Sequence, residues 1–326
     1  MRRALLAAAM VLAAATPAHA AGGPVPPAFG GAGVSTPGGS ENIVALYAGA
    51  GHTVLTRIRR GDGTVAQSRV INGMFGVPGV TFDGINTGLS ADGSTLVLAS
   101  PSGTKSTRLR VFNARNLRAR RDIELRGMNT VDAISPDGRW LYLVDYNNGL
   151  ASSYDVRAYD LEHGKLLSKP IVDPREPEEK LQGFPVTRVS SEDGRWQYTL
   201  YSGEEPFIHA LDTEGRTAVC IDMPASVNDD PSGVQLKLAG DTLTVAGAQP
   251  HAVVDLHTFK VSEPSAAAPA PKPKPAATPK SAAQTDSGPS LVLWLLPLVA
   301  LGLVAVFARQ RRQSATRARA AAGHSG

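Results

Sequence analysis

The 326-residue chain holds a single cysteine, Cys220. One thiol cannot close an intrachain disulfide, so the fold must be held by packing and hydrogen bonds alone. Cys220 sits in the apolar run A-V-C-I and is expected to pack as a small apolar residue rather than to react. Catalytic signatures are missing too. None of the seven histidines forms an H-x-H or H-E-x-x-H pattern, and His52, His209, His251 and His257 each fit a strand or turn position. There is no G-x-S-x-G nucleophile elbow and no phosphate-binding glycine loop. Aromatic residues are only 6% of the chain, so those that fall in loops stand out as contact residues.

An excess of basic charge is also missing from the body of the chain, although the formal net charge is +4. Seven of the 33 Lys and Arg lie in the two ends, and Lys272, Lys274 and Lys280 lie in a Pro-rich segment. With Asp286 set aside, 23 basic residues face 28 acidic ones over residues 21–271. A mildly acidic domain is a poor match to nucleic acid.

The ends carry addresses. Residues 1–20 combine Arg2 and Arg3, an apolar run over 4–15 and the A-H-A site at 18–20, the pattern of a secretory signal peptide. Residues 291–308 are uncharged and span about 27 Å as a helix, enough for one membrane crossing. Five arginines between 309 and 319 follow, which by the positive-inside rule keeps the 309–326 tail in the cytoplasm. Residues 262–290, rich in Ala, Pro, Lys and Ser, read as an extended stalk reaching roughly 80–90 Å at most. The expected arrangement is a single-pass cell-membrane protein with its N-terminal domain outside.

Between a Gly- and Pro-rich lead-in at 21–32 and the stalk, one pattern recurs. It is clearest in I-S-P-D-G-R-W-L-Y-L-V at 134–144, where Pro136 and Asp137 favour a turn, Gly138 supplies a left-handed residue, and an apolar strand follows. Residues 140–144 are apolar at every position, so both faces of that strand should be buried. Related turns centre on Gly93 and Gly194, 45 and 56 residues away, with fainter copies at 33–47 and 236–246. Each unit continues into a second hairpin, in which Asn113, Asp160, Asp212 and Asp255 hold equivalent places and read as turn residues bonding their own backbone.

A four-strand period of this length predicts an all-β chain, a β-propeller of about five four-stranded blades over 33–261, plus the one C-terminal transmembrane helix. The motif at 135–144 resembles the WD40-like and YVTN-type β-propeller repeats of secreted bacterial proteins, and the resemblance extends over the same 33–261. Seven blades, the usual number for lactonase-like and YVTN proteins, do not fit this length.

In such a fold the loops at 72–84, 146–153, 172–185, 202–206 and 223–232 share one face. That face is expected to bind a partner, protein or cell-wall glycan, through Phe75, Phe82, Tyr146 and Phe184, with Glu204 and Glu205 in an acidic rim that includes Glu176, Glu178 and Glu179. The chain is expected to be a monomer and not an enzyme. The alternative is a metal-assisted hydrolase or lyase of the kind that a resemblance to propeller lactonases implies. In it Asp83, Asp132, Asp229 and Asp230, near the starts of innermost strands with Asn86, Asn129, Arg188 and Asn228, would hold a divalent cation such as calcium.

Overall fold

Three equivalent turns carry the architecture. At 135–138 the Ser135 hydroxyl donates to Asp137 Oδ1 at 2.6 Å and accepts the Trp140 N–H at 2.9 Å. Asp137 Oδ1 also accepts the Arg139 N–H at 3.0 Å, and Gly138, at φ 71°, closes the turn. The same bonds recur in Ser90-Ala91-Asp92-Gly93 and Ser191-Glu192-Asp193-Gly194. Each turn folds an inner strand, or the segment standing in for one, onto the next strand, and the chain then meanders outward.

A computed structural model describes residues 24–101, 103, 105–146, 153–248 and 250–263. The signal segment, nearly all of the stalk, the apolar stretch at 291–308 and the basic tail lie outside the described residues. Among those described, no helix is long and apolar enough to cross a membrane.

Five antiparallel sheets follow one another in chain order. The first holds β1 (Val34–Ser35), β2 (Glu41–Gly49), β3 (His52–Arg59) and β4 (Val65–Asn72). The second holds β5 (Thr95–Ala99), β6 (Ser106–Asn113) and β7 (Arg118–Arg126). The third runs through β8 (Asn129–Ile134), β9 (Trp140–Asp145), β10 (Asp155–Asp160) and β11 (Lys165–Ile171), and the fourth through β12 (Phe184–Ser190), β13 (Trp196–Ser202), β14 (Phe207–Asp212) and β15 (Thr217–Asp222). The fifth comprises β16 (Gln235–Ala239), β17 (Thr242–Ala246), β18 (Pro250–Asp255) and β19 (Lys260–Ser262). This is the all-β, propeller-like set of blades that the repeats call for.

The second blade departs from four strands. Beside β5 an inner strand is replaced by two isolated bridges, Leu89 with Leu96 and Gly76 with Ala99, and between them Gly88, at φ 103°, accepts the Val97 N–H at 2.7 Å. The lead-in departs as well. Ala28 bridges Val77, and a side chain at Gly76 would meet the Ala28 carbonyl at 2.6 Å, so the segment is packed backbone to backbone onto the link between the first two blades.

Packing between blades makes the core. Leu96, Leu98 and Phe112 of the second blade meet Ile43, Ala45 and Leu55 of the first. Strand β9 serves two interfaces, as its unbroken apolar run requires: Leu141 and Leu143 face the second blade, while Tyr142 packs with Leu211 and Ala218 of the fourth. Leu200 and Ile208 join Leu243 and Val245 between the fourth and fifth blades.

The second hairpins repeat in detail. Asn113 Oδ1 accepts the N–H groups of residues 115 and 116, Asp160 those of 162 and 163, Asp212 those of 214 and 215, and Asp255 those of 257 and 258. Asp212 in addition receives Arg195 Nε at 3.0 Å and Nη2 at 2.6 Å. Burial works to raise its pKa, but the guanidinium and the two amides outweigh it and hold the carboxyl below its usual 3.8. A depressed folded-state pKa stabilises the fold above the unfolded value and is lost as pH falls through the folded one. Asp212→Asn should therefore be less stable at neutral pH and lose less stability than the parent on acidification below about pH 4, read as urea midpoints against pH. An unchanged acid slope would place the acid-sensitive carboxyl elsewhere.

Candidate functional site

Four segments from distant parts of the chain meet at one end of the fourth blade. The link at 78–86 crosses to β12, where the Phe82 N–H donates to the Pro185 carbonyl at 3.1 Å and the Asp83 N–H to the Val186 carbonyl at 3.4 Å. In β13, which ends beside Phe184, the Ser202 hydroxyl donates to Asn228 Oδ1 at 2.6 Å, and Asn228 Nδ2 donates to the Gly203 carbonyl at 2.7 Å. Loops 78–86, 202–206 and 223–233 are thus tied to the start of β12. Glycine makes the closest approach possible, since a Cβ at Gly183 would lie 2.5 Å from the Ser202 carbonyl.

Phe82 and Phe184, 102 positions apart, stand edge to face with centroids 6.3 Å apart and planes at 74°. Phe82 is 55% exposed, while Phe184 is half-buried against the core between the fourth and fifth blades. Asp83, Glu204, Glu205, Asp229 and Asp230 are exposed carboxylates on the same tied loops. The arrangement is an apolar knob, stiffened by its backbone bonds, in an acidic rim.

Two of the four expected aromatics are not at the surface. Phe75 is only 3% exposed, packs in the core between the first two blades and lies under the Arg110 guanidinium, 4.6 Å from its ring centre. Its N–H donates to Thr53 Oγ1, which draws the glycine-rich segment inward. Tyr146 is buried with Tyr154, Tyr201 and Phe207, and burial pushes its hydroxyl pKa up to about 12. Neither ring is presented to a partner.

Three of the four aspartates expected to hold a cation have separate tasks, and the fourth, Asp229, is exposed after a short 3₁₀ turn whose Ser226 carbonyl accepts its N–H at 3.2 Å. Asp132 is buried in an ion pair with Arg188, whose Nη1 and Nη2 meet its carbonyl and Oδ1 while Nε donates to Thr199 Oγ1 at 2.7 Å. Asp83 accepts the Thr81 hydroxyl at 2.5 Å, and Asp230 caps a short 3₁₀ turn through Ser232 and Gly233. Among the described residues the three-ligand grouping within 4.8 Å is Asp160, Glu162 and His163, which includes none of the four. Those three could coordinate a divalent cation, but Asp160 already accepts two backbone amides and the His163 ring, and Arg139 lies 3.4 Å from Glu162.

Asn86 and Arg188, expected to reach a central channel, do line a common cavity. It measures about 410 Å³ and is lined by Asn86, Thr87, Arg188, Ser190, Ser191 and Gln197, among others. Several of its polar groups are already engaged: Ser190 donates to Gln197 at 2.6 Å, Ser191 donates to Asp193, and Arg188 is held by Asp132.

No family model matches the chain, and no curated protein matches it. Among solved structures there are distant likenesses of low identity to propeller-like proteins. TolB from Acinetobacter baumannii is 14% identical over 71% of this chain and 53% of its own, with a TM-score of 0.40. BamB from Moraxella catarrhalis is 17% identical over 73% of this chain and 62% of its own, at 0.41. The Cps50 (Swd1) β-propeller domain of Myceliophteria thermophila is 10% identical over 66% and 61%, at 0.39. This chain therefore spans from about half to under two thirds of the length of these three structures.

Proposed function

We propose that this chain is a non-enzymatic binding module, displayed outside the cell membrane on its stalk, whose loop face around Phe82 and Phe184 captures a protein partner. The observation that carries the reading is the exposed Phe82 ring, braced by Phe184 and pinned by backbone to β12. A rigid aromatic loses little freedom on binding, and such residues dominate interface energies. The exposed carboxylates on the same loops suit a basic surface on that partner. The signal-type segment at 1–20, the apolar stretch at 291–308 and its arginine flank support an extracytoplasmic domain with a cytoplasmic tail.

The test is capture from envelope extracts by the immobilised chain, beside binding to purified cell-wall glycan. The double variant Phe82→Ala, Phe184→Ala should lose partner affinity by about 30-fold or more, the scale of a hot-spot pair. Its unfolding midpoint should still show a folded domain. Glu204→Gln with Glu205→Gln should chiefly slow association and flatten its salt dependence. Undiminished capture by the folded Phe variant would rule out this face, and retention of glycan alone would replace protein as the partner.

A further inference from the structure

His209 in β14 and Cys220 in β15 are direct cross-strand partners. Both line a small cavity of about 20 Å³ between the third and fourth blades, together with Asp173, Glu176 and Glu179. That volume accommodates about one water-sized particle. His209 is 2% exposed, and its Nε2 has no hydrogen-bond partner. A buried nitrogen left unpaired costs free energy unless something fills the space in front of it.

The surroundings of the cavity are acidic. Burial, then the nearby Glu179, Asp173 and Glu176 carboxylates, push the Cys220 thiol pKa up. Asp173 is committed, since it accepts Arg175 and the Cys220 N–H at 2.9 Å. Among the described residues Glu176 and Glu179 have no ion-pair partner within 4.0 Å. A neutral imidazole, a thiol and spare carboxylates around a hole form a cation site rather than an anion site.

We propose that this cavity is a divalent transition-metal site of the zinc class, with His209 Nε2, the Cys220 thiolate and the Glu179 carboxylate as its protein ligands. A mixed nitrogen, sulfur and oxygen set suits zinc and discriminates against calcium and magnesium, which take oxygen. Asp173, by holding the Cys220 N–H, fixes the strand that presents the sulfur. The positive ion reverses the effect of the acidic surroundings on the thiol, and its binding releases the thiol proton to solvent. Its three ligand atoms do not lie within 4.8 Å of one another as those of Asp160, Glu162 and His163 do. Closure requires Glu179, exposed on the link between the third and fourth blades, to swing inward.

The full chain, stripped with chelator, is titrated with Zn²⁺ alone and with Co²⁺ alone. One ion per chain is expected, with a thiolate-to-cobalt charge-transfer band that zinc abolishes. Cys220→Ser should remove that band and weaken zinc binding at least tenfold, and Glu179→Gln should weaken it at least tenfold while keeping the band. Both changes are mild enough to leave the unfolding midpoint near that of the parent, which avoids relying on a His209 truncation. His163→Ala should change neither property. The proposal is overturned if no stoichiometric ion binds, leaving water to fill the cavity. It is equally overturned if binding persists undiminished in Cys220→Ser and Glu179→Gln, or is lost in His163→Ala, which would place the ion on the surface turn.

Discussion

Arg188→Met should destabilise the domain by about 3–5 kcal/mol, because it strands a charge inside the protein. The Arg188 and Asp132 side chains are 3% and 1% exposed, and Asp132 Oδ2 has no hydrogen-bond partner, so the guanidinium is the main compensation for that carboxylate. The pair joins the third and fourth blades through β8 and β12. Replacing both partners, Arg188→Met with Asp132→Leu, should recover most of the loss, since a well-packed apolar pair does not bear the desolvation penalty of two charges. Urea unfolding of the two variants measures both effects at constant slope. A single variant within about 1 kcal/mol of the parent would mean that water reaches the pair and screens it.

Gly138→Ala should cost about 2–5 kcal/mol, the sum of two separate penalties. About 1–2 kcal/mol comes from the left-handed backbone at φ 71°. A further 1–3 kcal/mol, roughly, comes from overpacking, because the new Cβ would lie 2.5 Å from Thr95 Oγ1 and 2.7 Å from Thr95 Cβ on the neighbouring blade. Gly63 is the control. It has φ 69° with nothing within 4 Å of a Cβ, so Gly63→Ala should show the backbone penalty alone. Equal losses at the two positions would show that the turn does not press on the second blade.

These two sites differ in how far the sequence reveals them. The turn at 135–138 is legible because its residues bond only to one another and to their neighbours, so a local pattern carries the whole geometry. The repeated Asn and Asp of the second hairpins are legible for the same reason. The Arg188 and Asp132 pair is not, since 56 positions separate the partners. As a bare sequence Asp132 is another carboxylate near a strand start, indistinguishable in kind from Asp229. Only the docking of β12 beside β8 makes it buried and paired.

Phe75 and Phe82 make the same point within one segment. Both sit in the run N-G-M-F-G-V-P-G-V-T-F-D-G, yet one is 3% exposed and the other 55%. Local composition marks the run as irregular, and it is, but irregular backbone can still be packed. Thr53 takes the Phe75 N–H and closes that end into the core, while bonds to β12 carry Phe82 across to Phe184.

By itself the sequence determined the all-β class, a set of about five repeated sheets, the positions of the tight turns and the burial of both faces of β9, because strand alternation and turn chemistry act over only a few residues. The tertiary structure alone decided which aromatics reach solvent, which aspartates are spent inside, and that His209, Cys220 and Glu179 line one cavity. Those outcomes depend on which strands and loops come together across blades, and pairing at long separation leaves no periodic trace in the chain.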